Sequence, residues 1–157
     1  MYSPGVAMKP VDSKQKVVSL TELIVASNQA QETGFPPQQA VLMAVAEMSM
    51  PVNEHMRFGN TLFIINKGQG RNGYMSAMNI DTPRNFIENV KKFIDSAYLL
   101  GFDNLVTIFK QPELIQIFRI IAKNPPRSEM GYELKENRNG DYVANFKLGP
   151  SREGDVQ

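Results

Sequence analysis

Few residues in this chain have the type and spacing for chemistry. His55 is the single histidine, preceded by Asn53 and Glu54, which together could serve as a base or a metal ligand. No second ligand stands at helical spacing, so a metal centre is not expected and His55 reads as an exposed loop imidazole. The glycine-rich run KGQGRNG from Lys67 to Gly73 invites a phosphate-loop reading. It matches neither GxxxxGK[ST] nor a GxGxxG that opens a helix, and it reads as a hairpin turn. Thr82 and Arg84 stand at the start of a helix, where a hydroxyl and a guanidinium could meet an anion. Asp103 reads as the residue that opens a strand. Tyr98 and Tyr132 are spare phenols at element edges, where a ring packs and its hydroxyl meets water.

Composition narrows the classes. The 157 residues are 42% apolar and 21% charged, which suits one domain with a packed core. Seventeen Lys and Arg stand against sixteen Asp and Glu, so the net charge of +1 gives no field to attract nucleic acid or an anionic membrane. Cysteine is absent, which excludes disulfides, thiolate nucleophiles and Cys-based metal sites, and suits a reducing compartment such as the cytoplasm. MYSPGVAMKP has no basic segment followed by an apolar run, and no apolar stretch approaches about 20 residues, so neither export nor membrane spanning is indicated.

The elements that would position these residues are well punctuated. Residues 1–16 read as an extended arm and 150–157 as a polar tail, on either side of one domain over 17–149; both arms would take a fixed path only against a partner. Ser19 and Glu22 form a capping box for a first helix with Leu20, Leu23, Ile24 and Ser27 on one face, and Val18 can staple onto Leu23. Pro36 and Pro37 open a second helix with an apolar stripe of Val41, Ala44, Val45 and Met48. Thr61–Asn66 and Tyr74–Ile80 read as a hairpin. Thr82 and Pro83 start a long helix with Phe86, Ile87, Val90, Phe93, Ile94 and Ala97 on one face, stopped at Gly101. LVTIF at 105–109 reads as an inner strand covered on both faces, making a parallel crossover. Leu114 to Ile121 leave a further helix little polar face, and a last hairpin turns at Asn139-Gly140 in type I′ geometry. Nine methionines fill core and supply adaptable surface. The segments Asn124-Pro125-Pro126-Arg127 and Gly149-Pro150 are stiff and extended and could lie on a neighbouring subunit.

Helix, helix, strand, strand, helix, strand, helix, strand, strand is an order that resembles the GNAT superfamily of N-acetyltransferases from about Val17 to Leu148, an α/β (α+β) fold with a mixed sheet. The resemblance implies that Tyr74–Ile80 splays from Asn104–Lys110, that acyl-CoA enters the gap, and that its pyrophosphate rests on amides at the start of the Thr82 helix. Were acetyl-CoA to bind, Met78, Asn79, Ile80, Thr82 and Arg84 would hold it. The family's loop reads [RQ]xxGx[GA], whereas this chain has NIDTPRNF: no glycine, Pro83 in place of a donor, and the negative charge of Asp81. The family's general acid is a tyrosine within a pattern like FYxKxGF, and Arg119 falls in its place. With a pKa above about 12, an arginine returns no proton to a thiolate. The chain therefore looks like a degenerate member, with no catalytic residue and no cofactor expected. It is similar to GNAT-like virion proteins of short-tailed bacteriophages. That likeness implies a structural or assembly role in the virion, assembled in host cytoplasm, with other virion proteins as partners in several copies through both arms. An active acyltransferase with an atypical loop is the alternative; a nucleic-acid module would need a basic face that composition does not suggest.

Overall fold

A computed structural model of the chain describes residues 16–127 and 129–149. Apart from Lys16, the expected arm and tail lie outside the described residues.

Ten elements follow in order: α1 (Leu20–Ala30), α2 (Pro37–Met48), β1 (Asn53–Phe58), β2 (Thr61–Lys67), β3 (Asn72–Asn79), α3 (Pro83–Leu99), β4 (Asn104–Phe109), α4 (Glu113–Lys123), β5 (Gly131–Glu136) and β6 (Tyr142–Lys147). The six strands form one sheet in the order β1-β2-β3-β4-β6-β5. Only β3 and β4 are parallel; every other neighbouring pair is antiparallel. The expected α+β mixed sheet, central hairpin, crossover and C-terminal hairpin are all present.

Helices cover both faces of the sheet. On one face Leu23 and Ile24 of α1 and Ala40 and Ala44 of α2 pack on Leu62, Ile64 and Met78. On the other, α3 and α4 lay Phe86, Val90, Phe93, Ile94, Leu114 and Phe118 over Phe63, Ile65, Met75, Ala77, Leu105 and Phe146. Phe63 and Phe93 stack at 4.3 Å between ring centroids, with an interplanar angle of 8°. Burying each such side chain stabilises the fold by about 1.5–3 kcal/mol. The caps hold as read: Ser19 accepts from the Glu22 amide, Thr82 accepts from the Asn85 amide, and Val18 packs in the cluster that holds Leu23.

Five expectations need correction. Residues 53–58, read as a loop around His55, form edge strand β1; its polar Asn53, Glu54, His55 and Arg57 hide the alternation carried by Met56 and Phe58. In α2 the buried line is Ala40 and Ala44, small enough for close approach to α1, and Val45 turns outward at 44% exposure. Strand β4 is fully buried on one face only, where Leu105, Thr107 and Phe109 lie, and Val106 and Ile108 on the other face are half-buried. Helix α4 needs cover on one side only: Leu114, Ile117, Phe118 and Ile121 are buried and Ile120 is exposed. The last hairpin has a three-residue loop over 138–140, closed by the Asn137 amide on the Asp141 carbonyl at 2.8 Å. Only Gly140 has positive φ there, as in a type I turn followed by a glycine bulge, and not a type I′ pair. KGQGRNG does form the β2–β3 turn, with the Gly68 amide bonded to the Asn72 carbonyl at 2.8 Å.

Candidate functional site

The parallel strands β3 and β4 pair at three positions only, Asn72↔Asn104, Gly73↔Leu105 and Tyr74↔Val106. Beyond them β3 continues from Met75 to Asn79 and β4 from Thr107 to Phe109 without pairing to each other. Each keeps its other neighbour: β3 pairs with β2 up to Thr61↔Asn79, and β4 with β6 up to Phe109↔Tyr142. The sheet thus opens as a V in its middle, leaving backbone donors and acceptors that a sheet interior ordinarily pairs. Thr107 stands in the first row past the parting, 1% exposed, and its hydroxyl finds no partner among the described residues.

At the wide end of the V lies the start of α3. Close approach there is set by Gly59, whose positive φ turns the chain tightly from β1 into Asn60. Asp81 is 5% exposed, and its Oδ2 accepts from the Asn60 amide at 2.8 Å and from Asn89 Nδ2 at 2.7 Å. Asn89 Nδ2 also donates to Thr61 Oγ1 at 3.0 Å, and Thr61 Oγ1 donates to Asn79 Oδ1 at 2.6 Å. Asn79 closes the ring: its Oδ1 accepts from the Asp81 amide at 3.0 Å and its Nδ2 donates to the Asp81 carbonyl at 3.2 Å. Asn60 ties the ring to the chain before α1, donating to the Lys16 carbonyl and accepting from the Val18 amide.

Of the residues that the resemblance assigns to a cofactor, Met78 is buried against Leu62 and Ile64, on the face that α1 and α2 cover. Asn79 spends its side chain inside the ring, and the Ile80 amide donates to the Asn60 carbonyl at 3.1 Å. Thr82 caps α3 with its own hydroxyl on the Asn85 amide, the Phe86 amide is taken by the Thr82 carbonyl, and Pro83 has no amide hydrogen to give. Arg84 is exposed in the first turn. At this terminus Pro83 thus offers no amide, the Asn85 amide is already taken by the Thr82 hydroxyl, and the buried Asp81 carboxylate lies just before the helix.

Asn60, Thr61 and Asn89 went unrecognised in the sequence. The available signal was Asn89 itself, a polar residue three positions after Phe86 and one before Val90 on the apolar face of α3.

The other candidates are dispersed. His55 is exposed on β1, and no cluster of three or more His, Cys, Asp and Glu gathers among the described residues. Asp103 opens β4 and sits 3.8 Å from Arg71, as a strand-opening residue does. Tyr98 is packed, with the Arg127 guanidinium 3.3 Å from its ring centroid. Tyr132 packs on Phe146 with ring centroids 5.0 Å apart and the planes tilted by 37°, and its buried hydroxyl finds no partner among the described residues. Burial pushes that phenol above its ordinary pKa, with Arg119 opposing the shift. Arg119 itself is exposed on α4. No helix among the described residues is long and apolar enough to cross a membrane.

No protein-family model matches the chain, and no curated protein matches it in sequence. Solved structures do match in shape. An aminoglycoside 6′-acetyltransferase type Ii aligns with a TM-score of 0.59 at 10% identity, over 83% of this chain and 91% of that one. The aminoglycoside 6′-N-acetyltransferase from Enterococcus faecium gives 0.52 at 10% identity, over 89% and 96%. A spermidine N-acetyltransferase chimera from Vibrio cholerae and hSSAT gives 0.52 at 7% identity, over 83% and 93%. At such identities the likeness is one of architecture: the chain has the fold of the GNAT acetyltransferases.

Proposed function

We propose that this chain is a non-catalytic GNAT-fold protein that serves as a structural or assembly component, of the kind its resemblance to virion proteins of short-tailed bacteriophages implies. In that reading it is assembled in the host cytoplasm and resides in the virion. Other virion proteins are its partners, in several copies, met through the N- and C-terminal arms. The observation that carries the loss of catalysis is the ring of Asn60, Thr61, Asn79, Asp81 and Asn89 at the start of α3. It engages the Asn79 side chain and the Asp81 amide and holds a buried carboxylate just before α3, where a diphosphate would bring further negative charge. Arg119 in place of an acidic phenol leaves a departing thiolate without a proton source.

A second reading, an acyl-CoA-dependent N-acyltransferase with an atypical loop, is favoured by the parting of β3 and β4 after Tyr74↔Val106. That slot suits an extended chain with amide groups of its own, which would pair with the free strand edges. Under this reading Met78, Asn79 and Ile80 lie along the slot and Thr82 and Arg84 at its end. Calorimetric titration with acetyl-CoA and with CoA separates the two readings. The non-catalytic reading expects no saturable heat at about 1 mM ligand. Micromolar binding to either ligand, weakened by Arg84→Ala, would overturn it in favour of the enzyme.

A further inference from the structure

The tripeptide Arg-Asn-Gly occurs twice, as Arg71-Asn72-Gly73 and as Arg138-Asn139-Gly140, and these hold the two Asn-Gly pairs of the chain. Asparagine followed by glycine carries its own electrophile and nucleophile: the side-chain Cγ and the backbone nitrogen of the next residue. With no Cβ on that residue to obstruct the approach, the nitrogen can close a five-membered ring on Cγ. The ring forms only where the chain can turn about the asparagine Cα–C bond. The reacting atoms and the preceding arginine are the same at both positions, so a large difference in reactivity has to come from the fold.

Asn72 is held in place. It opens β3, pairs with Asn104 of β4, and its Oδ1 accepts from Asn104 Nδ2 at 2.9 Å. Its carbonyl accepts from the Gly68 amide at 2.8 Å. Gly73 is buried between Lys67 of β2 and Leu105 of β4, where even a Cβ would stand 2.6 Å from Ile65 Cγ2. Closing a ring here means separating β3 from both of its neighbours.

Asn139 has room to turn. Arg138, Asn139 and Gly140 are all exposed at the tip of the hairpin that joins β5 to β6. The Asn139 carboxamide has no hydrogen-bond partner among the described residues; the Asn137 side chain takes the loop's amides instead, accepting from Asn139 at 2.9 Å and from Asp141 at 3.0 Å. A Cβ on Gly140 would meet nothing within 4 Å. The nucleophile is tied by the bond from the Gly140 amide to the Asn137 carbonyl at 3.1 Å, and opening that bond disturbs only a surface loop.

We propose that Asn139 is a site of spontaneous modification, deamidated through a succinimide while Asn72 is protected. The Gly140 nitrogen gives up its proton to water and bonds to Asn139 Cγ, and the side-chain nitrogen leaves as ammonia. Water then adds to one of the two ring carbonyls and breaks its bond to the ring nitrogen. The product is aspartate or, when the broken bond is the original peptide bond, isoaspartate. Either one turns a neutral side chain into a carboxylate and takes the net charge from +1 to 0, seventeen basic residues against seventeen acids. Isoaspartate also lengthens by one atom the backbone of the loop that ties β5, an edge strand, to β6, its one neighbour in the sheet.

The test is incubation of the full chain at mildly alkaline pH, folded and in guanidinium chloride, with peptide mapping over time. Trypsin cuts after Arg71 and Arg138, so each asparagine begins a peptide of its own. In the folded protein position 139 should gain the acid at least about tenfold faster than position 72, and in denaturant the two rates should converge. Asn139→Gln, which needs a larger ring, should remove the acidic form that ion exchange resolves from the folded wild type. Equal rates in the folded protein overturn the proposal, as does a position 139 that reacts in denaturant but not in the fold. A tenfold difference that persists in denaturant overturns it by assigning the selectivity to sequence, and an acidic form that persists in Asn139→Gln overturns it by placing the reaction elsewhere. None of these outcomes depends on whether acetyl-CoA binds.

Discussion

Asn89 Nδ2 donates to Asp81 Oδ2 across 2.7 Å, fastening the second turn of α3 to the loop that precedes it. The carboxylate is buried, and the Asn60 amide is its other strong donor, so neither can be lost cheaply. Asn89→Ala should lower stability by about 1–3 kcal/mol, seen as a fall in the urea midpoint at unchanged m-value. Asn85→Ala, an exposed change on the same helix, should stay within about 0.5 kcal/mol. Equal midpoints for the two variants would show that the ring does not hold the loop.

Thr107→Val tests the opposite kind of site. The hydroxyl is buried at the row where β3 and β4 part and has no partner among the described residues, so it contributes desolvation without a bond. Valine keeps the shape, and the free protein should gain about 1 kcal/mol, a rise in Tm of about 2–4 °C for a chain of this length. A loss of stability would mean that the hydroxyl is satisfied in solution, by water or by a ligand lodged in the V.

Element order was legible because the signals are local. Ser19 and Thr82 cap their helices as their sequence context demands, and the stripe from Phe86 to Ala97 meets the sheet. Strand β1 was hidden because an edge strand packs on one face only, and Asn53, His55 and Arg57 point away from Phe63 and its neighbours. The depth of burial on β4 and α4 was overestimated for a related reason. Apolar runs such as LVTIF register hydrophobicity, not how far α1 and α2 extend across the sheet, and they stop over β2 and β3. At the site, the absence of glycine before α3 was plain from the sequence. That Asp81 turns inward to Asn60 and Asn89, residues 21 and 8 positions away, is a tertiary fact with no local signature.

Gly73 occupies the last but one row at which β3 and β4 still pair, and its need is for space. A Cβ there would stand 2.6 Å from Ile65 Cγ2 and 3.0 Å from the Phe102 ring, both in the core on the α3 side. Gly73→Ala should destabilise by about 1–3 kcal/mol through overpacking, whereas Gly70→Ala in the open turn should cost mainly the strain of a positive φ. If Gly73→Ala is neutral by thermal melt, the closed end of the V is looser than the packing of Ile65 and Phe102 requires.

Tyr132 makes a pH prediction whose sign follows from burial. Its phenol is held above the ordinary value by desolvation, with Arg119 opposing more weakly, so the native state binds this proton more tightly than the unfolded chain does. The associated stability is fully present below about pH 10, where both states are protonated, and is lost as pH rises from there through the native pKa. Urea midpoints should therefore fall across the alkaline range in the wild type and fall less steeply in Tyr132→Phe. At neutral pH the substitution should cost little, since the hydroxyl it removes has no partner among the described residues. Parallel alkaline slopes in the two proteins would place the ionising group elsewhere, and a large loss at neutral pH would reveal a hydrogen bond to the Tyr132 hydroxyl.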